Sequence, residues 1–159
     1  MKPFFIAAFL TATTALPGIA GGTLDMSSVA YGQTSNTYFP IDDGHMIVFT
    51  STEYTSNNQD DAGTMLSGMK GECSGTLELQ PPAASGQGHC VFRTAMGAIT
   101  FTKWVATGMT AEGAITGEWT TVGGTDVFAG ATGGGTFVSL TDQATGKTEN
   151  AISGSTELQ

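Results

Sequence analysis

The sequence predicts an all-β protein: a single antiparallel barrel of about eight strands, closed on itself, with little helix after residue 20. Three observations predict it. Beyond residue 20, Thr, Val, Phe and Trp recur in short runs that alternate with polar residues and break at glycine, and no stretch keeps the spacing of a helical face. Pro81-Pro82 stands midway between two alternating runs, where it marks a hairpin turn, because proline has no N–H to give a central strand. The stretch from Gly123 to Phe137 is dense in glycine, which reaches positive φ without a Cβ clash. Such a stretch folds back as a barrel corner, tucks Phe128 into a core and releases the chain into a strand at Thr136. A phosphate-binding loop would instead need a hydrophobic strand before it, a helix after it and usually a Lys.

Residues 1–20 open with Lys2, continue with the apolar run Phe4 to Leu10 and end on small residues at Gly18 and Ala20. This is the pattern of a cleavable secretion signal, cut after Ala20. The apolar part is too short for the roughly 20 residues of a membrane anchor. The expected location is therefore the periplasm or the extracellular space. Residues 21–43 are poorly patterned, with Val29-Ala30-Tyr31 as one edge strand, and residues 44–159 form the barrel domain. Its first strong strand is Met46 to Tyr54. In Gly71 to Leu79, Cys73, Gly75, Leu77 and Leu79 share a core face, while Glu72, Ser74, Thr76 and Glu78 share a wet one. Strands at His89 to Thr94 and Ala98 to Ala106 meet at a tight turn, Met96-Gly97. Gly113 to Thr121, Thr136 to Thr141 and Thr148 to Leu158 complete the set.

Loss of Lys2 with the signal moves the formal charge from -9 to -10, leaving only Lys70, Arg93, Lys103 and Lys147 as basic residues. Nucleic acid and anionic membrane are poor partners, because no basic patch exists to neutralise phosphates. Cys73 and Cys90 lie symmetrically about Pro81-Pro82, so they are expected as cross-strand neighbours joined by a disulfide. A redox or metal-ligating pair would show Cys-x-x-Cys spacing, which is lacking.

The run Gly-Gly-Thr-Asp-Val-Phe-Ala-Gly-Ala-Thr-Gly-Gly-Gly-Thr-Phe at 123–137 resembles the glycine signature of the allene oxide cyclase and dirigent-like barrels. It departs at Asp126, where that family usually has Gly. The resemblance implies a closed barrel with Gly123, Gly124, Phe128, Gly130, Gly133 and Phe137 as architectural residues. It also implies a cyclase or isomerase activity, of the kind that shapes a reactive intermediate. Only the corner aligns, so it assigns no catalytic residue.

Lys103 is the most interesting charge, because alternation in Ile99 to Val105 puts it on the face of Ile99, Phe101 and Val105, expected to be buried. An inward lysine would have a depressed pKa and could anchor a ligand. The plainer reading, preferred on side-chain reach, is a packed stem with its ammonium in water. Glu118 is its natural partner on the next strand, and Trp104 and Trp119 complete the candidate ligand-binding set as packing or barrel-mouth residues. His45 and His89 are read as surface residues at strand starts, and no ligand spacing points to a metal. Asp60-Asp61 lacks the alternating acids of a calcium loop. No Gly-x-Ser-x-Gly elbow is present, and Glu72 and Glu78 face solvent rather than pairing as glycosidase acids. No cofactor is implied. Three readings stay open: a barrel that binds a small hydrophobic molecule, a cyclase or isomerase with an ionisable cluster in its lumen, and a structural or interaction module of the cell envelope.

Overall fold

A computed structural model describes residues 21–58 and 65–159. The signal-like segment and Asp60-Asp61 lie outside the described residues. Among the described residues nine strands follow in order: β1 (Thr23–Asp25), β2 (Ser28–Asp42), β3 (His45–Asn57), β4 (Lys70–Gln80), β5 (Ala83–Arg93), β6 (Ile99–Met109), β7 (Ile115–Gly124), β8 (Thr132–Thr141) and β9 (Lys147–Glu157). All pairings are antiparallel, and β9 pairs with both β8 and β2, so β2 to β9 close an eight-stranded barrel. The short β1 continues the line of β2 along the far end of β9. Closure leaves few unpaired strand edges.

Connections alternate between two ends. At one end, which we call the rim, lie the turns at Asp43-Gly44, Pro81-Pro82, Thr110 to Gly113 and Asp142 to Gly146. At the other, the floor, lie the β3–β4 and β5–β6 connections and the glycine corner. The corner holds a single 3-10 turn, Asp126–Phe128, the one helical element among the described residues. Phe128 is 0% exposed and packs with Leu66, Met69, Ala98 and Ala131 into a hydrophobic plug. Backbone bonds tie this plug to its neighbours: Thr125 N–H donates to Ile99 O at 2.8 Å, and Ile99 N–H to Thr125 Oγ1 at 3.0 Å. Asp126 itself sits at φ 53°, a left-handed conformation that favours glycine. The residue that departs from the resembled signature thus stands where a glycine would carry no strain. Strand β8 begins at Thr132, four residues earlier than Thr136.

Two sequence expectations are corrected. Residues 28–42 are not an edge segment but one of the longest strands, paired with β3 along its length and with β9 from Ser28 to Gln33. Its alternation was hidden because the inward residues, Ala30, Gly32, Thr34 and Asn36, are small or polar. His89 lies in the middle of β5, opposite Ser74 and Lys103, because Pro81-Pro82 makes a two-residue turn and β5 starts at Ala83.

Beyond Thr34, whose N–H donates to Gly146 O at 2.8 Å, the β2–β3 hairpin projects past β9. Register is regular from Thr34 to Pro40, so the missing N–H of Pro40 falls on this unpaired edge, a placement that discourages further strand pairing. No described helix is long and apolar enough to cross a membrane. The outer wall carries exposed Glu53, Glu72, Lys103, Glu118 and Glu149 within strands, interspersed with exposed Phe49, Phe101, Val105 and Leu140.

Candidate functional site: the barrel lumen

Small barrels are commonly filled by their own side chains. This one is hollow, and glycine is the reason. An added Cβ at Gly75 or Gly88 would lie 2.3 or 2.4 Å from Cζ2 of Trp104, so that indole rests flat on two glycines of β4 and β5. Gly117 meets the ring of Phe137 at 2.7 Å in the same sense, and Gly154 meets Trp119 at 2.9 Å. Phe92 and Tyr54 lie over Gly71 and Gly32. Each large ring is therefore pressed against the wall rather than pointed at the axis. Trp104 and Phe137 also meet edge to face, their centroids 6.4 Å apart.

The space left along the axis measures about 810 Å³, within the range of small-molecule sites. Exposed Tyr38 and Pro40 line it at the rim, while Leu66 and Met69 of the plug line it at the floor, so the cavity is a cup open at one end. Among the described residues that line it, none is Asp, Glu, Lys, Arg or His.

Its two walls differ. On β4 to β7 the lining is Leu77, Leu79, Phe92, Trp104, Ile115 and Trp119, with the Cys73–Cys90 disulfide and Thr102 among them. On β2, β3, β8 and β9 polar groups cluster. Four threonine hydroxyls run across these strands: Thr52 to Thr34 at 2.7 Å, Thr34 to Thr148 at 2.5 Å, and Thr148 to Thr141 at 2.9 Å. Asn150 Nδ2 donates to Tyr54 Oη at 3.1 Å. Burial holds the Tyr54 phenol above its ordinary pKa, against smaller opposing hydrogen bonds with Asn150, Ser139 and Thr52. At the rim, Tyr38 Oη donates to the Gln143 side chain, joining the projecting hairpin to the β8–β9 turn.

Of the four residues expected to contact a ligand, Trp104 and Trp119 line the lumen. Lys103 and Glu118 do not. Both are exposed on the outer wall, and the register sets Lys103 opposite Thr120 and Glu118 opposite Val105, with the Trp104–Trp119 pair between them. The inward face of β6 is Thr100, Thr102, Trp104 and Ala106, while Phe101 and Val105 point out with Lys103. A concave wall has room for one flat-lying indole between small neighbours, so the bulkier aliphatic face turns outward.

Cys73 and Cys90 are partners in the β4–β5 ladder and are joined by a disulfide, as the symmetry about Pro81-Pro82 predicts. Their side chains face the lumen. His45 binds Glu78 on the outer wall near the rim, Nε2 to Oε1 at 2.8 Å. Among the described residues, no group of three His, Cys, Asp or Glu is placed to hold a metal ion. Sequence reasoning placed Tyr54 with Trp104 and Trp119 as a packing or barrel-mouth residue but missed Asn150 and the threonine chain. Their signal was faint: alternating Thr50, Thr52 and Tyr54 in β3 and Thr148 and Asn150 in β9 read equally well as a wet outer face. No protein-family model matches the chain, and no curated protein matches it in sequence.

Proposed function

We propose that this protein is an exported binding protein that holds a small, largely apolar molecule in its barrel lumen. One observation carries the reading: a cup of about 810 Å³ whose lining, among the described residues, contains no charged side chain and is aromatic and aliphatic along one wall. Export is supported by the signal-like pattern of residues 1–20 and by the disulfide, which suits an oxidising compartment. The eight-stranded closure agrees with the architecture implied by the resemblance at residues 123–137, although one barrel architecture hosts unrelated functions.

A cyclase or isomerase activity is the second reading, favoured by the inward cluster of Tyr54, Asn150, Ser139 and Thr52. Proton transfer there would fall to a tyrosine that burial keeps neutral, whereas binding needs no such step.

The test is titration of the purified chain with the neutral fluorophore N-phenylnaphthylamine. Both tryptophans of the chain line the cup, so a molecule bound there accepts energy from both. Saturable one-to-one binding with loss of tryptophan emission is expected. Emission that is unchanged, or that falls without saturation, would remove the proposal.

A further inference from the structure

The Cys73–Cys90 disulfide stands on the inner face of the β4–β5 ladder, with Thr52 of β3 opposite Cys73 and Thr102 of β6 opposite Cys90. One inward position nearer the rim on the same two strands are Gly75 and Gly88, on which the Trp104 indole rests. One position nearer the floor, Phe92 lies over Gly71. The sulfurs therefore occupy a gap between two rings, with small threonines on either side. Behind them the wall is closed, because the pairing of β3, β4, β5 and β6 runs without a register shift through Thr52, Cys73, Cys90 and Thr102. Cys73 is only half-buried all the same, and both cysteines line the cup, so the surface that is left to them faces the lumen.

A disulfide is opened by a nucleophile that meets one of its sulfurs, so access and charge set the rate. Here the floor end is filled by Phe128, Leu66 and Met69, and the open path runs from the rim down past Trp104. A thiolate on that path would carry an anion among described lining residues that include no counter-charge, whereas an uncharged nucleophile meets no such barrier. A molecule lying on the lumen side of Trp104 covers the same path, a step that rests on the binding reading above.

We propose that the Cys73–Cys90 disulfide is a reduction site served only through the lumen, open to small uncharged nucleophiles when the barrel is empty and shut when a ligand occupies it. With a tertiary phosphine, the phosphorus lone pair attacks one sulfur, the S–S bond breaks, and the other sulfur leaves as a thiolate that takes a proton from water. The hydroxide so formed adds to phosphorus, the P–S bond breaks, and the second sulfur departs with the remaining proton as a thiol. Phosphorus ends as the oxide, having given up the electron pair that the disulfide gains. Occupancy of the cup thus decides whether the cross-link between β4 and β5 can be broken.

The test compares tris(hydroxypropyl)phosphine, which is uncharged, with tris(carboxyethyl)phosphine, which is anionic at neutral pH, on the native chain and on the chain unfolded in urea. High salt screens the chain's overall negative charge in both. Released thiols are counted by alkylation and mass spectrometry after an acid quench. The ratio of rates, uncharged over anionic, is expected to be about tenfold larger on the native chain than on the unfolded one, and saturating N-phenylnaphthylamine should slow the uncharged reagent about tenfold. Urea well below the unfolding transition should leave the native rate unchanged, since entry through the cup needs no unfolding. Equal ratios on the two chains, no native reduction, or a native rate that climbs with low urea overturns the inference and leaves lumen binding standing. So does a rate that is unchanged while tryptophan quenching reports the fluorophore bound. Failure of the fluorophore itself to bind removes the binding reading and the gating with it, while the ratio of rates still decides whether the disulfide is reached through the lumen.

Discussion

At the floor of the barrel Phe128 fills the axis and is wholly buried, whereas in the walls above it Trp104, Trp119 and Phe137 lie flat and leave the axis open. Glycine builds both regions by different means. At the corner it supplies backbone conformations, as at Gly130 with φ 70°, and room for Phe128, whose Cβ lies 2.5 Å from where a Cβ on Gly124 would sit. In the walls it supplies an absent side chain, a shelf on which a ring rests. The same residue type thus makes one end dense and the rest hollow. The dense end is the plug, and the hollow part is the cup in which the proposed ligand is placed.

The sharpest way to break this contrast is Phe128→Ala, which opens a cavity in the plug. A loss of about 3–5 kcal/mol is expected, read as a lower denaturation midpoint with an unchanged slope. A midpoint within error of wild type would mean that the floor is only a lid. Next in size is the disulfide, which closes a loop of sequence separation 17 between paired strands. Replacing Cys73 and Cys90 together by Ala should cost about 3 kcal/mol in the chain-entropy model. Unfolding curves of the two chains in guanidinium, run side by side, check it.

Gly88→Ala acts on the wall. Its Cβ would stand 2.1 Å from Ser74 O and 2.4 Å from the Trp104 indole, so the ring must tip toward the axis. About 1–3 kcal/mol of stability should go, with fluorophore affinity falling and tryptophan emission shifting. A variant as stable as wild type that keeps full affinity would refute the shelf. The smallest effect concerns pH. Tyr54 has a folded-state pKa raised by burial above the ordinary 10.0, so its contribution is fully present below pH 10. It is lost as pH rises through the folded-state value, because the unfolded chain ionises first. Tyr54→Phe should therefore lose less stability than wild type between neutral and strongly alkaline pH, measured by denaturation at each pH. Parallel curves would show that Tyr54 is not desolvated.

Much of the fold was legible before the structure. The Cys73 and Cys90 pairing, the faces of β4 and the corner around Phe128 all follow from local rules: proline in a turn, alternation along a strand, glycine at a bend. Strand β2 was not legible, because a hollow lumen removes the pressure for large apolar residues along its inner face. The face of β6 that carries Lys103 was misread for a related reason. Both faces of β6 carry large apolar residues, Phe101 and Val105 outward and Trp104 inward, so the pattern gives two faces without saying which is inside.

By itself the sequence determined that the chain is β, where it turns, and which cysteines meet, because these depend on residues close together or on the period of two that every strand shares. Only the tertiary structure decided that the barrel is hollow, which wall is polar, and that Asn150 and Tyr54 meet from strands ninety-six residues apart. Those features exist only after closure brings β9 against β2 and β8, when a glycine on one strand becomes the seat of a ring on another.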